Sequence, residues 1–174
     1  MKHASSRIDF ALLARCNDTP NPLRAFLEHH QGPIPDAVYL ASGEMGFWSF
    51  AFVLPGQTRY SCIRCGACCR NIHAIDDLVL DGGDCPHLVG NLCGAYDKRW
   101  SACRTYPFNT HRTPEGTDLL MIDRNCQGTG QGYLITADRY RSIIRSLNAE
   151  YARLDGVEIR YERPPDFLDQ EADS

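Results

Sequence analysis

Long hydrophobic runs are missing from this sequence. The most apolar stretch, Phe47 to Leu54, is interrupted by Ser49 and is far too short to cross a bilayer, so no membrane partner is expected. The segment Met1 to Phe10 lacks the unbroken apolar core of a secretory signal, which sets the expectation of a cytoplasmic protein. Positive charge is not in excess either. With 18 Lys and Arg against 22 Asp and Glu, the net charge is −4. No broad footprint for nucleic acid and no polybasic patch for anionic lipid is present. There is no internal repeat. The remaining composition, 43% hydrophobic and 23% charged, excludes disordered, collagenous and coiled-coil classes. A chain of 174 residues suits one domain with its own apolar core.

What the sequence has in abundance is cysteine. Eight of the nine cysteines fall between Cys62 and Cys126, and only Cys16 lies apart. In a reducing compartment such clustering points to metal ligands or redox groups rather than disulfide staples.

Pattern divides the chain into residues 1–57, 58–132 and 133–174, one compact unit overall. In the first, a short helix is expected around Ile8–Arg15. Leu23, Phe26, Leu27 and His30 then recur at helical spacing until Gly32-Pro33-Ile34-Pro35 stops them. Strands are expected at Phe47–Val53 and Thr58–Ser61, paired as a hairpin that delivers the chain to Cys62. The second region is rich in glycine, proline and aspartate and reads as loops, with a short helix at Asp97–Arg104 and a strand at Asp118–Asp123. In the third, Tyr140, Ile143, Ile144, Leu147, Tyr151 and Leu154 mark one face of an amphipathic helix. Thr136 is its expected N-cap and Gly156 its end, with a last strand at Val157–Tyr161 before an acidic tail. The expected fold is therefore a small α+β domain: short strands, a C-terminal helix, and a loop-rich cysteine core organised around metal.

The chemistry begins at Cys62-Ile63-Arg64-Cys65-Gly66-Ala67-Cys68-Cys69. Two-residue spacers let successive sulfurs converge, and the glycine lets the backbone turn tightly. Three cysteines at this repeat hold three corners of one cluster in bacterial ferredoxins, which favours iron–sulfur over zinc. The adjacent Cys68 and Cys69 are expected to diverge, serving two neighbouring centres or two metals of one cluster. Cys85, Cys93, Cys103 and Cys126 bring the total to eight thiols, a number that suits two four-cysteine sites. Two such sites carry about −4 in charge, and Arg64, Arg70, Arg104 and Arg124 each lie within two residues of a cysteine.

These residues resemble the YkgJ-type cysteine-cluster family, described as zinc- or iron-chelating domains with a C-x-x-C-x-x-C-C signature. The resemblance is carried by Cys62–Cys69, Cys85-Pro86-His87-Leu88, Cys93-Gly94-Ala95-Tyr96-Asp97-Lys98-Arg99, Cys103-Arg104-Thr105-Tyr106-Pro107-Phe108 and Cys126 with Gly128. Two positions depart from it: Trp100 where the family has proline, and Gln127 where it also has proline. The resemblance implies a bound metal or cluster, a [4Fe-4S] type with zinc as the alternative, and says little about reaction. One relative, the flagellin lysine N-methylase, looks like an enzyme built around such a cluster.

Other chemistries find less support. The radical S-adenosylmethionine spacing fails at Ile72, and Gly128, Gly130 and Gly132 read as a flexible turn rather than a nucleotide fingerprint. His73 and His87 are secondary candidates for a Cys₃His site. His29, His30 and His111 are expected at the surface, Asp76, Asp77, Asp81 and Asp84 in a solvated loop, and Cys16 as a small buried residue. No nucleophilic catalytic arrangement is legible. Three roles follow: a structural or electron-transfer metal module, a cluster-dependent modifying enzyme, and a thiol redox switch.

Overall fold

The computed structural model describes residues 8–31, 49–70, 85, 87–95, 99, 101–113 and 115–154. Gly156, the strand expected at Val157–Tyr161, His73 and the four aspartates between 76 and 84 lie outside the described residues.

The chain is a small α+β fold. Its centre is a three-stranded antiparallel sheet of β1 (Phe50–Phe52), β5 (Phe108–Arg112) and β6 (Asp118–Asp123), in the order β1-β6-β5. The middle strand β6 is the expected one, at the expected boundaries. Its run Leu119-Leu120-Met121-Ile122 does not alternate with polar residues because both faces are covered. Leu119 and Met121 face a cluster with Leu12, Leu13, Cys16, Leu23, Phe26, Leu27 and Phe52, drawn largely from α1 (Phe10–Asn17) and α2 (Pro22–Gln31). Leu120 and Ile122 face the opposite cluster with Val53, Ile135, Tyr140 and Leu147, the last two on the long C-terminal helix Ala137–Leu154. The sheet is thus the middle of three layers.

Local chemistry sets the helix starts. Asp9 accepts from the Leu12 amide at 3.0 Å to cap α1. Asn21 accepts from Arg24 N–H at 3.0 Å before α2, whose first residue is Pro22, where no amide is needed. Thr136 caps the last helix as expected, accepting from Arg139 N–H at 3.3 Å. Tyr140 on that helix accepts a hydrogen bond from the Leu120 amide at 3.0 Å, tying helix to sheet. Asn17, at the end of α1, makes two bonds to Phe52. Its side-chain amide donates to the Phe52 carbonyl at 2.8 Å, and its carbonyl accepts from the Phe52 amide at 2.7 Å.

The expected hairpin between the first two strands does not form. β1 pairs with β6, placing Phe52 opposite Met121, whereas β2 (Arg59–Tyr60) pairs with β7 (Tyr133–Leu134) in a separate two-stranded sheet. The turn at Leu54–Thr58 moves the chain from one sheet to the other, with Gln57 and Thr58 N–H groups both donating to the Leu54 carbonyl. β2 nevertheless ends beside Cys62, as expected. In the cysteine region, α3 (Ala67–Arg70), the hairpin β3 (Leu88–Val89) and β4 (Leu92–Cys93), and α4 (Ser101–Thr105) are all short. The C-terminal helix is α5. Among the described residues, no helix is long and apolar enough to cross a membrane.

Candidate metal centre

Each cysteine arrives on a separately anchored piece of backbone. Cys62 and Cys65 follow β2 in a loop whose Arg64 and Gly66 have positive φ, 56° and 71°. At Gly66 the loop runs against the β3–β4 hairpin so closely that a Cβ would lie 3.1 Å from Asn91 Cα. The tight turn expected of this glycine is present. α3 follows at once and carries Cys68 and Cys69, the Cys69 amide donating to the Gly66 carbonyl at 3.0 Å.

Cys126 comes from the other end of the sequence, in the turn after β6. The Asp123 carbonyl accepts from Cys126 N–H at 3.2 Å and from Thr129 Oγ1 at 2.8 Å. A Ser61 N–H bond to the Gly128 carbonyl at 3.2 Å and a Tyr60–Thr129 bridge hold this turn against the start of the cysteine loop. A Cβ on Gly128 would stand 2.3 Å from the Ser61 carbonyl oxygen. The glycine run expected as a flexible turn is a turn, and at Gly128 it is a close backbone contact. Cys85 donates its amide to the Cys69 carbonyl at 3.0 Å, Cys93 closes the β3–β4 hairpin, and Cys103 sits on α4.

The result gathers all eight predicted thiols around two adjoining cavities. The larger, about 710 Å³, is lined by Cys62, Cys65, Cys68, Cys69, Cys93, Cys103 and Cys126. The smaller, about 40 Å³, is lined by Cys68, Cys69, Cys85, Cys93 and Cys103, with His87 and Arg99. All are free thiols. Cys16 is not among them: it is buried in the apolar cluster beneath the sheet, as expected, where burial pushes its thiol up against the opposing pull of Arg15.

Crowding marks the electrostatics. Burial, then the neighbouring Cys68, Cys85 and Cys93, push the Cys69 thiol up to about 12. Burial likewise raises Cys103, reinforced by Cys85, Cys93 and Cys68 and opposed by Arg99. Cys126 is raised by burial, opposed by the Gly128 amide, raised further by Cys65, and opposed by Thr129 and Tyr106. A cation or cluster entering such a place replaces thiol protons and relieves the repulsion.

Arginines near the cysteines serve mostly as struts. Arg70 donates to the Cys65 carbonyl at 2.8 Å and to the Gly90 carbonyl at 3.2 Å, bridging loop and hairpin. Arg104 donates to the Arg99 carbonyl at 2.7 Å, and Arg124 to the Pro20 carbonyl at 2.8 Å, far from the thiols in sequence. Arg64, one of the four expected near the thiols, lines the larger cavity, and Arg99, which sequence spacing did not single out, lines both. Tyr60 and Tyr106 were missed too. Both line the larger cavity, where the Tyr106 phenol donates to Asp123 at 3.1 Å. Burial, then nearby negative groups, push both phenols up, so both remain donors. Alternating aromatic and cysteine positions, Tyr60 with Cys62 and Cys103 with Tyr106, are the only trace of this in the sequence. His111 is not at the surface as expected; it is half-buried with its ring edge-on to Phe26 and its Nε2 unbonded.

Eight unpaired thiols are a soft donor set, suited to zinc or iron–sulfur clusters. Among the described residues, no three Cys, His, Asp or Glu side chains are gathered closely enough to grip a single ion. The thiols ring the cavities instead, an arrangement that binding would draw inward. No known protein family, no curated protein and no solved structure matches this chain.

Proposed function

We propose that this chain is a metal-binding protein of the cysteine-cluster type, holding iron–sulfur through Cys62, Cys65, Cys68, Cys69, Cys85, Cys93, Cys103 and Cys126. Its role on this reading is structural or in electron transfer, in the cytoplasm. The observation that carries the reading is that eight thiols from separate segments line two adjoining cavities, the ninth being in the apolar core. A cavity of about 710 Å³ offers room beyond one tetrahedral ion, which favours a polynuclear cluster over zinc. Tyr60 and Tyr106, which line the larger cavity, fit the same reading, since hydrogen bonds to sulfur tune cluster potentials.

Metal and acid-labile sulfide analysis of anaerobically purified protein tests it. Iron and sulfide in equal amounts with absorption near 400 nm support the reading; zinc without sulfide moves the assignment to a zinc module; a metal-free protein overturns both.

A further inference from the structure

Resting on this metal-binding reading, we propose that the eight thiols form two four-cysteine centres of unlike character. The outer centre, of Cys62, Cys65, Cys68 and Cys126, is the chemically accessible one. The inner centre, of Cys69, Cys85, Cys93 and Cys103, holds the loops together.

The backbone separates the two sets. Cys62, Cys65 and Cys126 line only the larger cavity, and Cys85 only the smaller. Cys62 and Cys126 are brought together by the Ser61–Gly128 bond and the Tyr60–Thr129 bridge, which involve no member of the other set. Cys85 is wired to Cys69 by its amide. Its own carbonyl accepts from the Leu88 amide at 2.9 Å, leading directly into the hairpin that ends in Cys93. Cys103 lines the smaller cavity with these three. Cys68 and Cys69 stand at the junction. Cys69 is only 7% exposed and bonded through its carbonyl to Cys85, which places it inside. Cys68 is less buried and continues the two-residue spacing of Cys62 and Cys65, which groups it with them.

Exposure then makes the centres unequal. Cys62 is exposed, next to Ile63 at 43%, and Leu92 at 55% forms part of the same rim. Cys69 and Cys85 are buried at 7% and 8%. The inner ligands come from α3, the end of the β3–β4 hairpin, Cys85 just ahead of it, and α4, elements too short to hold themselves. A metal there cross-links three chain segments, whereas the outer metal faces solvent on one side.

The test uses the full metal-loaded chain under anaerobic conditions, stripped with 1,10-phenanthroline and quenched at intervals with iodoacetamide, with labelled cysteines located by mass spectrometry. Two phases are expected. Cys62, Cys65, Cys68 and Cys126 label first with an unchanged far-ultraviolet circular dichroism; the remaining four label at least tenfold more slowly, with a spectral change. Labelling of all eight together, or a first phase that mixes the sets, overturns the partition. The double variant Cys62→Ser/Cys126→Ser should keep half the wild-type metal, as should Cys126→Ser alone, and complete loss from a folded double variant also overturns it. Absence of metal from the wild-type protein would instead remove the metal-binding reading itself.

Discussion

The two halves of the molecule are built on opposite terms. In the body, β6 is covered on both faces and seven side chains are less than 2% exposed without being glycine or proline. In the cysteine region the elements are two to five residues long, and its apolar side chains Ile63, Val89 and Leu92 face outward. Helices and strands of that length do not stand alone. One half is therefore held by hydrophobic burial, and the other by hydrogen-bonded struts and whatever its thiols bind. On the proposed metal-binding reading, metal-dependent and metal-independent order coexist in one chain, and that division can be broken experimentally.

If the proposed metal is bound, the largest effect expected is from removing it. Structural metal in comparable cysteine sites supplies on the order of 10 kcal/mol of folding free energy. Amides of residues 62–70 and 87–95 should lose their protection from hydrogen exchange while those of β6 keep theirs. If β6 amides open equally, the halves form one cooperative unit and the contrast fails. Next comes Leu120→Ala, in the fully buried middle strand, which should lower unfolding free energy by about 2–5 kcal/mol. Denaturant titration measures the loss, and metal content of the folded variant should not change.

A smaller effect, in the other half, is expected from Gly128→Ala. The added methyl meets the Ser61 carbonyl and forces the Cys126 turn away from the cysteine loop, a cost of about 1–3 kcal/mol. Faster metal release with a nearly unchanged β6 is the expected signature, and wild-type release kinetics would remove Gly128 from the site's construction. The smallest effect is of pH. Burial lowers His111, so the unfolded chain binds more protons than the folded one below the ordinary histidine range. Stability from this group is present above about pH 6.5 and declines as pH falls toward the folded value. His111→Phe should flatten that decline by at most about 1 kcal/mol, seen in melting temperatures at pH 5 and pH 7.

The body was the more legible half in sequence, for a physical reason. A common apolar core imposes helical periodicity on the α5 face from Tyr140 onward and an unbroken apolar run on Asp118–Asp123, so both declare themselves. Pairing partners do not. Phe50–Phe52 and Arg59–Tyr60 are neighbours in sequence and strands in the structure, yet each pairs with a strand tens of residues away. β5, Phe-Asn-Thr-His-Arg, was not anticipated because its residues are all half-buried or exposed and carry no alternation. Of the candidate site, the eight cysteines that line the cavities were legible because thiol spacing is a chemical signature. Arg99, Tyr60 and Tyr106 were not, since their place depends on where three separate loops meet.

Asn17 bears on how the protein behaves in company. β1 is the outer strand of the central sheet, and on its free side the Phe52 amide and carbonyl are both taken by one carboxamide. A strand margin left open is a template for a neighbouring molecule's backbone. Asn17 fills that template from within the same chain, so the sheet ends where it does and a second molecule finds no ladder to extend at Phe52.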